Sequence, residues 1–201
     1  MRNQSNIEEL VKLRPDYVGF IFYAKSKRYI GGKIPVGIQV LIPDHIQKIG
    51  VFVDEPFDKL LELFTENRLD IVQLHGNEHP DYCERLKKLD ISVIKVFSIT
   101  KEFDFETIKP YDCLCDYYLF DTANELPGGS GRKFNWDMLG QYTGNKPFFL
   151  SGGIKPADVD EIRRLSHDRL YAIDVNSGFE IEAGIKNIPE LKSFIDIVRN
   201  Y

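Results

Sequence analysis

Asp121 closes the apolar run Tyr117-Tyr118-Leu119-Phe120. A carboxyl group at a strand end beside apolar walls suits a general acid; an N-cap or a hydrogen-bonded structural carboxylate is the alternative for a lone Asp. Two later apolar runs end in glycine-rich turns, Ser151-Gly152-Gly153-Ile154 and Asn176-Ser177-Gly178. Glycine lets backbone amides approach an anion. Two such turns after consecutive strands therefore favour a phosphate cradle, whereas either one alone reads equally well as a tight connection. Arg28 shares a loop with Lys25 and Lys27. Its planar guanidinium suits a carboxylate held by two hydrogen bonds, and a solvated basic loop is the bland alternative. Residues 126–136 are rich in glycine and cations and resemble an anion-handling lid. The spacing GxxxxGK[ST] is absent there, so nucleotide hydrolysis has little support. His75 and His79 are four apart, but Gly76 and Asn77 break any helix between them, so no metal is expected.

These groups must be carried by elements that bring strand ends together. Short apolar runs recur at 17–22, 49–53, 71–74, 93–97, 117–121, 147–150 and 171–175. Most lack polar alternation, which suits parallel strands covered on both faces. Amphipathic segments at 44–48, 56–67, 80–89, 157–165 and 187–199 supply the crossover helices. Strand, loop and helix repeating every 20 to 30 residues or so is the pattern of an α/β TIM (β/α)8 barrel, with a doubly wound open sheet as the alternative. A length of 201 residues, 43% of them hydrophobic, fits one domain over 1–201. A net charge of −5 leaves no basic footprint for nucleic acid. No run approaches the roughly 18 apolar residues of a membrane span, and no signal peptide is apparent, so a cytoplasmic protein is expected. Cys83, Cys113 and Cys115 form neither CxxC spacing nor an even set, which argues against disulfides and a zinc site.

The N-terminus departs from this pattern. Ser5 and Glu8 read as a capping box for a helix running to about Arg14, with no strand before it. Seven strands are visible where a closed barrel needs eight, so the first strand is expected to be missing from this chain. A gap, local disorder or pairing with another chain is then expected between the Tyr17 and Tyr171 strands.

The runs GFIFYAKSKRY (19–29), VFVD (51–54), VQLHGNE (72–78), VIKVFS (93–98), FDTANELPGGSGRKFNW (120–136), FLSGGIKP (149–156) and DVNSGFE (174–180) together resemble phosphoribosylanthranilate isomerase, across nearly the whole chain. The resemblance implies a cofactor-free Amadori rearrangement of a phosphosugar in tryptophan biosynthesis, by a monomer or homodimer. It implies Asp121 as general acid, Arg28 on the anthranilate carboxylate, His75 and Asp174 as further substrate contacts, and Gly152, Gly153, Ser177 and Gly178 as the phosphate cradle. The family's general base is a cysteine ending the first strand, in a motif K-V-C-G-[ML]-[TR]. Met1-Arg2 match only its last two positions, so the base is expected to be absent through a misplaced start, and activity to be impaired. A phosphosugar-binding barrel without catalysis is the alternative. Indole-glycerol-phosphate synthase, with its lysine-centred site, finds no match in this sequence.

Overall fold

The structure, a computed structural model, describes residues 1–122 and 135–199. Seven parallel strands form one sheet in chain order: β1 (Tyr17–Ile21), β2 (Gln47–Phe52), β3 (Ile71–Leu74), β4 (Ser92–Ile99), β5 (Tyr117–Thr122), β6 (Phe148–Leu150) and β7 (Leu170–Ile173). This is the α/β barrel architecture that the apolar runs predict. The sheet curls so far that the Tyr17 hydroxyl on β1 lies 3.4 Å from that of Tyr171 on β7. No ladder joins the two strands among the described residues, so the expected gap lies between them.

The two faces of the sheet carry different cores. Inward-facing Ile49, Ile71, Ile94, Val96, Leu119 and Phe149 form a compact cluster inside the barrel. A larger cluster covers the outside under the helices α1 (Gln4–Val11), α2 (Val36–Gln39), α3 (Phe57–Glu66), α4 (Pro80–Lys87), α5 (Val159–Arg164) and α6 (Ile188–Arg199). With both faces apolar, strands such as β3 are buried at every position, which is why alternation is faint in the sequence. Each fully buried Ile, Leu or Phe adds about 1.5–3 kcal/mol of favourable transfer. None of the described helices is long and apolar enough to cross a membrane.

Three local expectations are corrected. Helix α1 is capped by Asn3, whose side chain accepts from the Asn6 amide at 2.9 Å, and not by Ser5, whose hydroxyl donates to Asn3. Glu8 receives Gln4 instead of reaching back to a cap, and α1 stops at Val11, with Arg14 at a positive φ of 53°. The segment 44–48 is not a helix: β2 already begins at Gln47, because its backbone pairs in register with Tyr17 on β1. The crossover turn of helix there is α2. A two-stranded antiparallel hairpin, β8 (Glu180–Glu182) and β9 (Ile185–Lys186), was not anticipated, and the β4–β5 and β5–β6 connections carry 3-10 turns, Phe105–Tyr111 and Trp136–Gln141.

Candidate active site

Strand period explains how the polar groups gather. Side chains alternate across a strand, so His75 shares the inward side with Ile71, Asp121 with Leu119, Ser151 with Phe149, and Asp174 with Ala172. Register then sets them at one height. The amide of His75 donates to the carbonyl of Phe52, that of Ser151 to Phe120, and that of Asp174 to Leu150, each one residue beyond its ladder. All four therefore stand on the rim at the carboxyl ends of the strands.

His75 Nε2 is 3.2 Å from Asp121 Oδ2. The Gln73 amide nitrogen, donating at 3.3 Å to His75 Nδ1, leaves the Nε2 proton to face the carboxylate. The other oxygen of Asp121 accepts from the Thr122 amide at 2.8 Å, which fixes the carboxyl rotation.

The two glycine turns meet beside Asp121. Gly152 has φ +96°, and a Cβ there would lie 2.6 Å from Asp121 Oδ1 and 2.3 Å from the Thr122 amide nitrogen. A Cβ on Gly178 would lie 2.0 Å from the Ile154 carbonyl oxygen, so only glycine permits the turn after β7 to press against the turn after β6. Gly153 is also left-handed, at φ 69°. Ser177 and Gly178 lie in a short 3-10 turn, Ser177–Phe179. The Ser151 hydroxyl donates to Asp174 at 3.4 Å. Burial, reinforced by the negative charge of Asp121, pushes the Asp174 carboxyl above its ordinary range.

Arg28 is not a solvated loop cation. Its Nε and Nη2 grip Glu180 at 2.8 and 2.7 Å. Lys186, directly opposite Glu180 in the hairpin, approaches the same carboxylate at 3.3 Å. Burial works against ionising Glu180, but the Arg28 hydrogen bonds and the Lys186 charge prevail and hold its carboxyl below the usual range.

A second buried ion pair, Lys95 with Glu78 at 3.1 Å, braces the loop behind His75. Lys95 also donates to the carbonyl of Gly76 at 2.8 Å, while Glu78 accepts from the Asp54 and Gly76 amides at 2.9 and 3.1 Å. Glu180, Lys186, Lys95 and Glu78 were not singled out from the sequence. Of these, Lys95 carried a readable signal, a charge inside the apolar run Val93-Ile94-Lys95-Val96-Phe97, which demands a buried partner.

A cleft of about 390 Å³ opens beside His75, bordered by Asp54, Asn77, Ser98 and Tyr111. A larger one of about 460 Å³ lies between the β1 loop and α3, against Phe22, Tyr29 and Lys59, and contains none of the expected site residues. No group of three His, Cys, Asp or Glu side chains among the described residues is arranged to hold a metal ion. Of the lid-like segment 126–136, residues 126–134 lie outside the described residues.

The family model for N-(5'-phosphoribosyl)anthranilate isomerase matches residues 1–197. The chain is 44% identical over 197 residues to the enzyme of that name from Parabacteroides distasonis, covering 97% of this chain and 89% of the relative. It superposes on the crystal structure of the Thermotoga maritima phosphoribosyl anthranilate isomerase with a TM-score of 0.87 at 33% identity, covering 100% of this chain and 96% of the other. A structure of such an enzyme in complex with reduced 1-(o-carboxyphenylamino)-1-deoxyribulose 5-phosphate matches with a TM-score of 0.83 at 31% identity, with the same coverage. The chain belongs to the N-(5'-phosphoribosyl)anthranilate isomerase family.

Proposed function

We propose that this chain converts N-(5-phosphoribosyl)anthranilate to 1-(2-carboxyphenylamino)-1-deoxyribulose 5-phosphate in tryptophan biosynthesis. The single observation that carries the reading is the contact between the Gly152 turn and the Asp121 carboxyl, which sets a potential anion cradle against a potential acid. With the substrate phosphate on the amides around Gly152, Gly153, Ser177 and Gly178, the sugar ring extends toward Asp121. Asp121 then protonates the ring oxygen and the ring opens to a Schiff base. Removal of the C2 proton gives an enolamine that becomes the aminoketose. His75 orients Asp121, Asp174 contacts the ribose, and Arg28 receives the anthranilate carboxylate on the guanidinium edge not used by Glu180. The chemistry needs no cofactor.

The step at C2 needs a base. Cys83 lies on α4, and Cys113 and Cys115 precede β5, at the opposite end of that strand from Asp121. None of the three lies on the rim that carries Asp121. We therefore propose that the 201-residue chain binds its substrate but turns it over weakly, since a positioned base supplies a factor of about 10² to 10⁴. This also favours, as the second reading, a phosphosugar-binding barrel without catalysis. Chromatographic detection of the aminoketose separates the two readings. Slow formation that disappears in Asp121→Asn supports the isomerase; analogue binding with no product at all supports the binding barrel.

A further inference from the structure

We infer that Lys186 is a positioning residue that ties together the two ends of the ligand site, the guanidinium of Arg28 and the glycine turn at Ser177-Gly178. The inference rests on the ligand assignment proposed above. Lys186 is only 7% exposed and Glu180 only 4%. An ammonium group has three protons, and here three acceptors take them: the Asn176 carbonyl at 3.0 Å, the Asn176 Oδ1 at 2.7 Å and Glu180 Oε1 at 3.3 Å. No donor remains for a ligand, so Lys186 acts through its neighbours.

Those neighbours lead in opposite directions. Glu180 accepts from Arg28 Nε and Nη2, and from the Gly184 amide at 3.2 Å, which fixes the guanidinium plane and leaves Nη1 outside this ion pair. Asn176 begins the turn of the phosphate cradle, and its carbonyl also accepts from the Phe179 amide at 3.1 Å. The chain Arg28–Glu180–Lys186–Asn176 thus sets the distance between a carboxylate-reading fork and a set of amides. Lys186 is itself fastened from behind. Its amide donates to Asn6 Oδ1 at 2.7 Å and its carbonyl accepts from Asn6 Nδ2 at 2.9 Å, so the hairpin cannot slide against α1. A ligand held at both ends gains from having that separation set in advance, because less ordering is left to be done on binding.

Titration calorimetry on the full chain tests this with three probes: the reduced product analogue, inorganic phosphate and anthranilate. Lys186→Met is expected to weaken the analogue at least about tenfold and phosphate at least about threefold. Arg28→Ala should weaken the analogue and anthranilate while leaving phosphate unchanged, and Lys186→Arg should recover most of the analogue affinity. Should Lys186→Met fail to fold, Asn176→Ala removes one acceptor from the same chain and is expected to weaken phosphate in a folded protein. If the unsubstituted chain binds the analogue and folded Lys186→Met or Asn176→Ala binds all three probes equally well, the inference is overturned and the ligand assignment stands. If the unsubstituted chain binds none of them, the ligand assignment falls and the inference with it.

Discussion

His75 Nε2 stands 3.2 Å from Asp121 Oδ2, joining the end of β3 to the end of β5 across the intervening β4. A pair that only stabilised the rim would leave turnover untouched. The proton-donor role proposed for Asp121 makes it indispensable to turnover. Asp121→Asn keeps the shape and is expected to lower turnover by about 10² to 10⁴ while leaving affinity for the reduced analogue within about threefold. Steady-state kinetics beside calorimetry reads both quantities. A loss confined to binding would remove Asp121 from the chemistry.

Gly178→Ala forces a methyl to within 2.0 Å of the Ile154 carbonyl oxygen, so the turn after β7 must withdraw. We expect a stability loss of about 1–3 kcal/mol in urea titrations, together with weakened phosphate binding. Unchanged phosphate affinity would mean that this turn is not part of the anion site.

Lys95→Met strands the Glu78 carboxylate in the interior and is expected to cost about 3–5 kcal/mol. Adding Glu78→Gln removes the charge yet keeps an acceptor for the Asp54 and Gly76 amides, so the double variant should regain more than half of that loss. Chemical denaturation of both variants measures the recovery. A double variant no more stable than Lys95→Met alone would show that the lost stability does not come from an unpaired charge.

Two carboxylates of the candidate site, Glu180 in the hairpin and Asp174 on the rim, predict pH dependences of opposite sign. Glu180 is held below its ordinary value, so its contribution is present at neutral pH and is lost as pH falls through the depressed value. Glu180→Gln should therefore be less stable than the parent at pH 7, with the difference shrinking below about pH 4. Asp174 is held above its ordinary value, so it costs stability as pH rises out of the acid range. Asp174→Asn should accordingly gain on the parent with rising pH. Thermal melts across pH 3 to 8 give both slopes, and parallel slopes for the two variants would contradict the assignment.

The barrel was legible because a parallel strand between two apolar layers leaves an uninterrupted run, and β3 at Ile71–Leu74 shows this most clearly. The rim was legible for the same reason, since polar residues directly after such runs have one place to go. What the sequence did not reveal depends on tertiary pairing. Gln47 and Lys48 look helical until Tyr17 and Val18 claim their backbone in a ladder. Asn3 competes with Ser5 for the α1 cap, and only the path of the preceding chain decides between them. Glu180 and Lys186 lie in a short polar stretch that reads as loop. Their pairing needs the hairpin register, and through it the structure gives Arg28 a partner that no spacing rule announces.

The account turns on one shared site for the phosphate and for the sugar ring. A crystal structure of this chain with the reduced product analogue tests it most directly. The prediction is a phosphate accepting from amides in the turns at Gly152-Gly153 and Ser177-Gly178, with the analogue's sugar carbons reaching the Asp121 carboxyl. An analogue whose phosphate lies in the cleft against Phe22 and Lys59, away from Asp121, would contradict it.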